Sequence, residues 1–148
     1  MLTGKNKPLI LGSFFVALAA FAHVGCIIFG ASWYRFFGAG EQMAVMAEQG
    51  LWYPTIVTSF IVVVLASWSL YGLSGAQVIR RLPFSRLALM LISSIFILRG
   101  ISFPWLMPMF PENSQNFWYV SSGICLAIGL LYALGLYQSW GQLSKRST

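Results

Sequence analysis

The stretch PLILGSFFVALAAFAHVGCIIFGA, Pro8 to Ala31, runs for 24 residues without a formal charge. Crossing the roughly 30 Å hydrocarbon layer of a bilayer takes about 20 apolar residues in a helix, so the run is long enough to span one. Pro8 suits a first helical turn, where its missing N–H forfeits no hydrogen bond. Lys5 and Lys7 ahead of it would also suit a cleavable leader. The run is longer than a leader's apolar core, however, and lacks a small-residue exit, so it is read as a retained helix.

Composition extends that reading to the whole chain. Of 148 residues, 8% are charged and 58% hydrophobic, with a mean hydropathy of +0.77, whereas soluble domains carry about 25% charged residues. A chain of this length has too little interior to hide so much apolar side chain, and lipid is the solvent that fits. Three further runs are long enough to span: about 52–76, about 84–103 and about 117–140. Pro104, Pro108 and Pro111 stop the third from continuing as a regular helix. The expected fold is therefore all-α and polytopic, a single four-transmembrane-helix bundle over residues 1–148.

The net charge of +6 does not point to nucleic acid, because the basic residues sit at the ends of apolar runs. Lys5, Lys7, Arg80, Arg81, Arg86, Lys145 and Arg146 fall on one side of the expected spans, and Arg35 and Arg99 on the other. The positive-inside rule then places both termini in the cytoplasm of a cell with an inner membrane. Glu41, Glu48 and Glu112 all map outside. Trp33, Tyr34, Trp52, Tyr53, Trp105 and Trp118 cluster at the outer ends of the spans, as an aromatic belt at the headgroup layer would.

The first outer loop holds EQMAVMAEQ, residues 41–49, which reads as a short interfacial helix ending at Gly50. Glu41, Val45 and Glu48 share one of its faces, and Met43, Met46 and Ala47 lie toward another. A lid with its carboxylates aimed at an outer site is the functional alternative. His23 lies about 12 Å from the outer end of the first span at helical rise. It shares a face with the small residues Ala19, Ala20, Cys26 and Gly30, which mark a helix–helix contact. Ser121, Ser122, Cys125 and Gly129 form a comparable stripe on the fourth span, so the first and fourth spans are expected to meet. Cys26 and Cys125 are read as free thiols. No HExxH, HxxxH or CxxC pattern is present, so no metal or other cofactor is expected.

Arg99, in ILRG, sits in the outer third of the third span, where an unpaired charge is expensive. Three partners fit: a glutamate of the outer loop (Glu41 or Glu48), a lipid phosphate reached by snorkelling past Ser102, or an anionic ligand. His23, Cys26, Arg99, Ser102, Glu41 and Glu48 together form the candidate ligand-binding set.

RFFGAGE after the first span, LYGLSGAQVIRRLP after the second and ILRG in the third make the chain resemble small bacterial four-helix inner-membrane proteins of the DoxX-like kind. The resemblance covers nearly the whole chain and implies a four-helix bundle in a bacterial inner membrane. It carries no catalytic residue across. Small multidrug exporters have a similar size and span count but rely on an acidic residue within a helix, and no span here holds one. The function expected is that of a non-enzymatic accessory or small-ligand- or lipid-binding component with its site in the outer half of the bundle. The alternatives are a small oligomeric transporter or channel, and a membrane enzyme acting on a lipid or quinone. Its expected partners are membrane lipids, with a membrane protein or a second copy of the chain.

Overall fold

A computed structural model of the chain describes residues 5–144. Lys145 and Arg146, which contribute to the charge asymmetry above, lie outside the described residues. Among the described residues the secondary structure is helical, with no strand. The helices are α1 (Lys7–Phe29), α2 (Ala31–Phe36), α3 (Glu41–Glu48), α4 (Trp52–Gly75), α5 (Ser85–Ile101), α6 (Phe103–Leu106) and α7 (Gln115–Ser144), with a 3-10 turn at Met107–Met109. Three of them, α1, α4 and α7, are long and apolar enough to cross a membrane. A fourth candidate span is α5 with the segment Phe103–Met109, bent by 59° at the break. The bend falls where Pro104 has no N–H to give and its ring would crowd the carbonyl four residues back.

The four long segments are apolar on every face, and their outward side chains include Phe21, Phe60 and Tyr137, each more than two-thirds exposed. Such a surface is at home against lipid tails and would be a liability in water. Inside, Leu9 and Val16 of α1, Leu65 of α4, Leu89, Ile92 and Phe96 of α5, and Ile128, Tyr132 and Leu136 of α7 form one continuous core.

Helix pairing differs in part from expectation. α1 does meet α7, where Gly12 lies under the Tyr132 ring and Gly135 lies against Leu9. The most extensive contacts, though, are α1 with α4 and α5 with α7. The small-residue stripe on α7 faces α5 instead of α1: Gly129 abuts Phe96 and Ile97, and Ser122 meets Arg99. The physical reason is reciprocal. A Cβ on Gly100 of α5 would stand 3.0 Å from the backbone nitrogen of Leu126, so glycine on each helix admits the other's backbone.

Polar groups tie α1, α4 and α7 together in the half of the bundle nearer the termini. Asn6 caps α1 by accepting from the Leu9 amide at 3.1 Å, and its Nδ2 donates to the Gly135 carbonyl at 2.8 Å and to Ser139 Oγ at 2.7 Å. Tyr132 Oη, fully buried, donates to the Trp68 carbonyl at 2.9 Å, and Ser69 Oγ donates to the Ser13 carbonyl at 2.9 Å. Gly72 makes this junction possible, since a Cβ there would collide with Ser13 Oγ and Tyr132 Oη. This terminal end carries Lys5, Lys7, Arg80, Arg81 and Arg86, with Arg86 over the Trp140 ring at 3.7 Å and Arg81 donating to the Gln142 carbonyl. The opposite end is capped by α2, α3 and α6.

Candidate functional site

The cap begins at Gly30, whose φ of 71° and ψ of −141° end α1 and turn the chain into α2. That combination is open only to glycine without strain. Trp33 folds back onto α1 because Gly25 offers no Cβ in its path. α2 was not anticipated, because the six residues Ala31–Phe36, ASWYRF, are too few to show a helical period. α3 occupies the segment read as a short helix, with Ala44 buried, Met43, Met46 and Ala47 half-buried, and Glu41, Val45 and Glu48 outward.

The loop glutamates do not approach Arg99. Arg35, in the last turn of α2, takes both. Its Nε donates to Glu41 at 2.9 and 3.1 Å, and its Nη1 donates to Glu48 at 2.7 Å. These hydrogen bonds hold both carboxyls below the usual carboxylate range and push the guanidinium further up. The sequence distance explains the outcome: Arg35 lies six residues before Glu41, and closing so short a loop sacrifices little chain entropy. Glu112, the remaining acid, accepts from the Glu41 amide at 2.9 Å, and Asn113 donates to the Gly38 carbonyl at 3.2 Å. The α2–α3 cap is thereby stitched to the loop ahead of α7.

Under the cap lies a cleft of about 290 Å³ lined by His23, Cys26, Tyr34, Phe37, Ala39, Met43, Val57, Thr58 and Ile61. Its walls come from α1, α2, α3, α4 and the α2–α3 connection. His23 Nδ1 lies 2.7 Å from the Ala19 carbonyl. A carbonyl only accepts, so Nδ1 carries the hydrogen, and in the neutral ring Nε2 is left as an acceptor. Tyr34 Oη and Thr58 Oγ1, both buried, share a hydrogen bond at 3.0 Å that pins α2 to α4. The wall is otherwise apolar, with the Cys26 thiol buried beside Tyr34 and Ala44.

Arg99 stands elsewhere, half-buried between α5 and α7. Its Nη1 donates to Ser122 Oγ at 3.3 Å, and its guanidinium carbon lies 5.3 Å from the centre of the Trp118 ring. Ser102 donates to the Arg99 carbonyl at 3.4 Å, closing the end of its own helix. The six sequence candidates thus fall into three places: His23 and Cys26 on the cleft, Glu41 and Glu48 on Arg35, and Arg99 and Ser102 at the end of α5.

Sequence reasoning missed Tyr34, Thr58, Arg35 and Trp118. Tyr34 and Trp118 were assigned to the aromatic belt but are only 3% exposed, because Tyr34 packs inward against Cys26, Ala44 and Thr58 and Trp118 packs among Phe110, Phe117 and Arg99. Trp52, Tyr53 and Trp105 do lie on the surface. Among the described residues, no three His, Cys, Asp or Glu side chains gather closely enough to hold a metal ion, and both cysteines are free. No family model, curated protein or solved structure matches the chain.

Proposed function

We propose that the chain is a four-span bacterial inner-membrane protein, cytoplasmic at both termini, that holds a small lipid-soluble ligand in the cleft beneath its outer cap. The DoxX-like kinship belongs to the same proposal and rests on the quoted segments alone. The charge asymmetry supports the orientation, with Lys5, Lys7, Arg80, Arg81 and Arg86 at the terminal end and all three glutamates at the capped end.

The observation that carries the binding role is the cleft itself. Its volume of about 290 Å³ is roughly twice that of a dry cavity of about 150 Å³ that admits one benzene. It therefore suits a ring system or a short stretch of acyl chain, at the lower edge of ordinary ligand pockets, about 300 Å³. Apolar walls select the ligand's body. His23 Nε2 offers an acceptor for a hydroxyl or similar donor on it, which gives the few placed polar groups such sites use. The role is accessory, to bind and present, with no chemistry assigned to His23 or Cys26.

The test is the organic extract of the protein purified in mild detergent from its own membrane, analysed by mass spectrometry beside a Val57→Trp variant that fills the cleft. A lipid-soluble compound retained by the wild type and absent from the variant is the expected result. Identical extracts from two well-folded proteins would sink the proposal.

A further inference from the structure

The chain has three side-chain carboxylates, Glu41, Glu48 and Glu112. Two are held by Arg35 and the third by the Glu41 amide. No side-chain anion of the chain is left for Arg99. The cations at the terminal end lie at helix ends and in loops, whereas Arg99 lies inside α5, two residues before its last, and is half-buried against α7. Its one hydrogen bond among the described residues is a long one, to a neutral hydroxyl, and the Trp118 ring gives only a distant cation–π contact. A guanidinium has five N–H donors in a rigid fork, so most of this one's capacity is unused. The same corner contains a second surplus donor. Trp118 Nε1 is buried without an acceptor, the one such side-chain atom among the described residues. Buried donors are rarely left so. The corner is rich in donors and carries a net positive charge, and among the described residues the side-chain acceptor that Arg99 engages is Ser122 Oγ.

We propose that the Arg99–Ser122 corner between α5 and α7 is an oxyanion site that takes a phosphate group. The fork geometry of arginine matches two phosphate oxygens at once, and the Ser122 hydroxyl can donate to a third. The Trp118 ring face lies beside the guanidinium, 5.3 Å from its carbon. The corner lies within one helical turn of the bend at Ser102, and the surface-exposed Trp105 follows three residues after that bend. That is the level at which a lipid phosphate sits beside an aromatic belt. The phosphate can come from a membrane phospholipid or from a free phosphate compound. The site is separate from the His23 cleft, since no cleft-lining residue belongs to α5 or α7, so its test does not depend on the ligand proposed there.

Delipidated wild-type protein, Arg99→Gln, Arg99→Lys and Ser122→Ala are compared by native mass spectrometry in detergent. Each is titrated with phosphatidylglycerol, with diacylglycerol of the same chains, and with inorganic phosphate. The wild type should bind one phosphatidylglycerol well above the diacylglycerol background. Arg99→Gln should weaken that binding about tenfold or more, as the loss of charge-assisted hydrogen bonds does. Arg99→Lys, which keeps the charge but not the fork, and Ser122→Ala should each weaken it a few-fold. A lipid source is indicated if millimolar inorganic phosphate fails to displace the phospholipid. Displacement that depends on Arg99 indicates a free phosphate compound, and either result upholds the oxyanion site. Should Arg99→Gln fail to fold, the lysine and Ser122→Ala variants decide. Phosphatidylglycerol and diacylglycerol binding alike, or all folded variants binding phosphatidylglycerol as the wild type does, would overturn it.

Discussion

Replacing Gly72 by alanine tests the junction of α1, α4 and α7 by the sign of its effect. In an open helical position, glycine to alanine gains up to about 1 kcal/mol, because alanine loses less backbone freedom on folding. At Gly72 the new methyl would run into Ser13 Oγ and Tyr132 Oη. Overfilling a packed interior costs about 1–3 kcal/mol. Moving the hydroxyls aside also endangers the Tyr132–Trp68 hydrogen bond, and an interhelical bond in lipid contributes about 0.6 kcal/mol. Packing wins by these magnitudes, so Gly72→Ala should destabilise by about 1–2 kcal/mol net of the propensity gain. Gly123 and Gly141 of α7 supply the control, since a Cβ at either meets nothing within 4 Å. Their alanine variants should be neutral or stabilised by up to about 1 kcal/mol. The assay is loss of helical circular dichroism as SDS is titrated into mild-detergent micelles. Adding Ser13→Ala to Gly72→Ala should recover part of the loss by removing one colliding atom. If Gly72→Ala proves as stable as Gly123→Ala, the three-helix junction is wrong as described.

Other expectations concern the cap. Because Arg35 lowers the Glu41 and Glu48 carboxyls below their ordinary value of 4.5, the stabilisation they provide is fully present above that value and is lost as pH falls through the lowered ones. Carbon-13 NMR titration should show both midpoints below 4.5 in the wild type and returned toward it in Arg35→Gln; unchanged midpoints would remove the ion triad. Gly30→Ala should cost about 1–3 kcal/mol through backbone strain, although the site has free space around it. The same SDS titration reads this, and a neutral result would mean that the turn is not fixed at that φ. Tyr34→Phe should cost about 0.5–1.5 kcal/mol and speed amide exchange in α2. Exchange as slow as in the wild type would show that the Thr58 contact does not pin the cap.

The long helices were legible because apolar runs of spanning length need no knowledge of partners. Their ends moved by only a few residues: α1 stops at Phe29, where Gly30 turns the chain, and α7 runs on to Ser144. The short elements were not legible. α6 has four residues, too few for any periodicity to register, and its helical turns follow from the bend that Pro104 imposes. Pairing was half legible. Small residues on α1 and α7 marked contact surfaces correctly, but a stripe does not name its partner, and Gly100 on α5 went unread beside the more conspicuous Arg99. The candidate site dispersed for an electrostatic reason. Glu41 and Glu48 had two cations within reach of the reading, and the nearer in sequence, Arg35, took both. That left Arg99 without the carboxylate expected for it.

α5 and α7 pack along each other, yet at 1.5 Å per residue the 17 residues of α5 make about 25 Å and the 30 of α7 about 45 Å. A bilayer with a hydrocarbon layer about 30 Å thick cannot match both. In the proposed membrane setting, α5 needs the bent segment Phe103–Met109 to complete its crossing, whereas α7 would lean or carry its polar ends beyond the hydrocarbon layer. On that reading, the flank formed by α5 is the short one, completed only through the bend. The fit of that flank then depends on acyl-chain length, so thin membranes suit it and thick ones strain it.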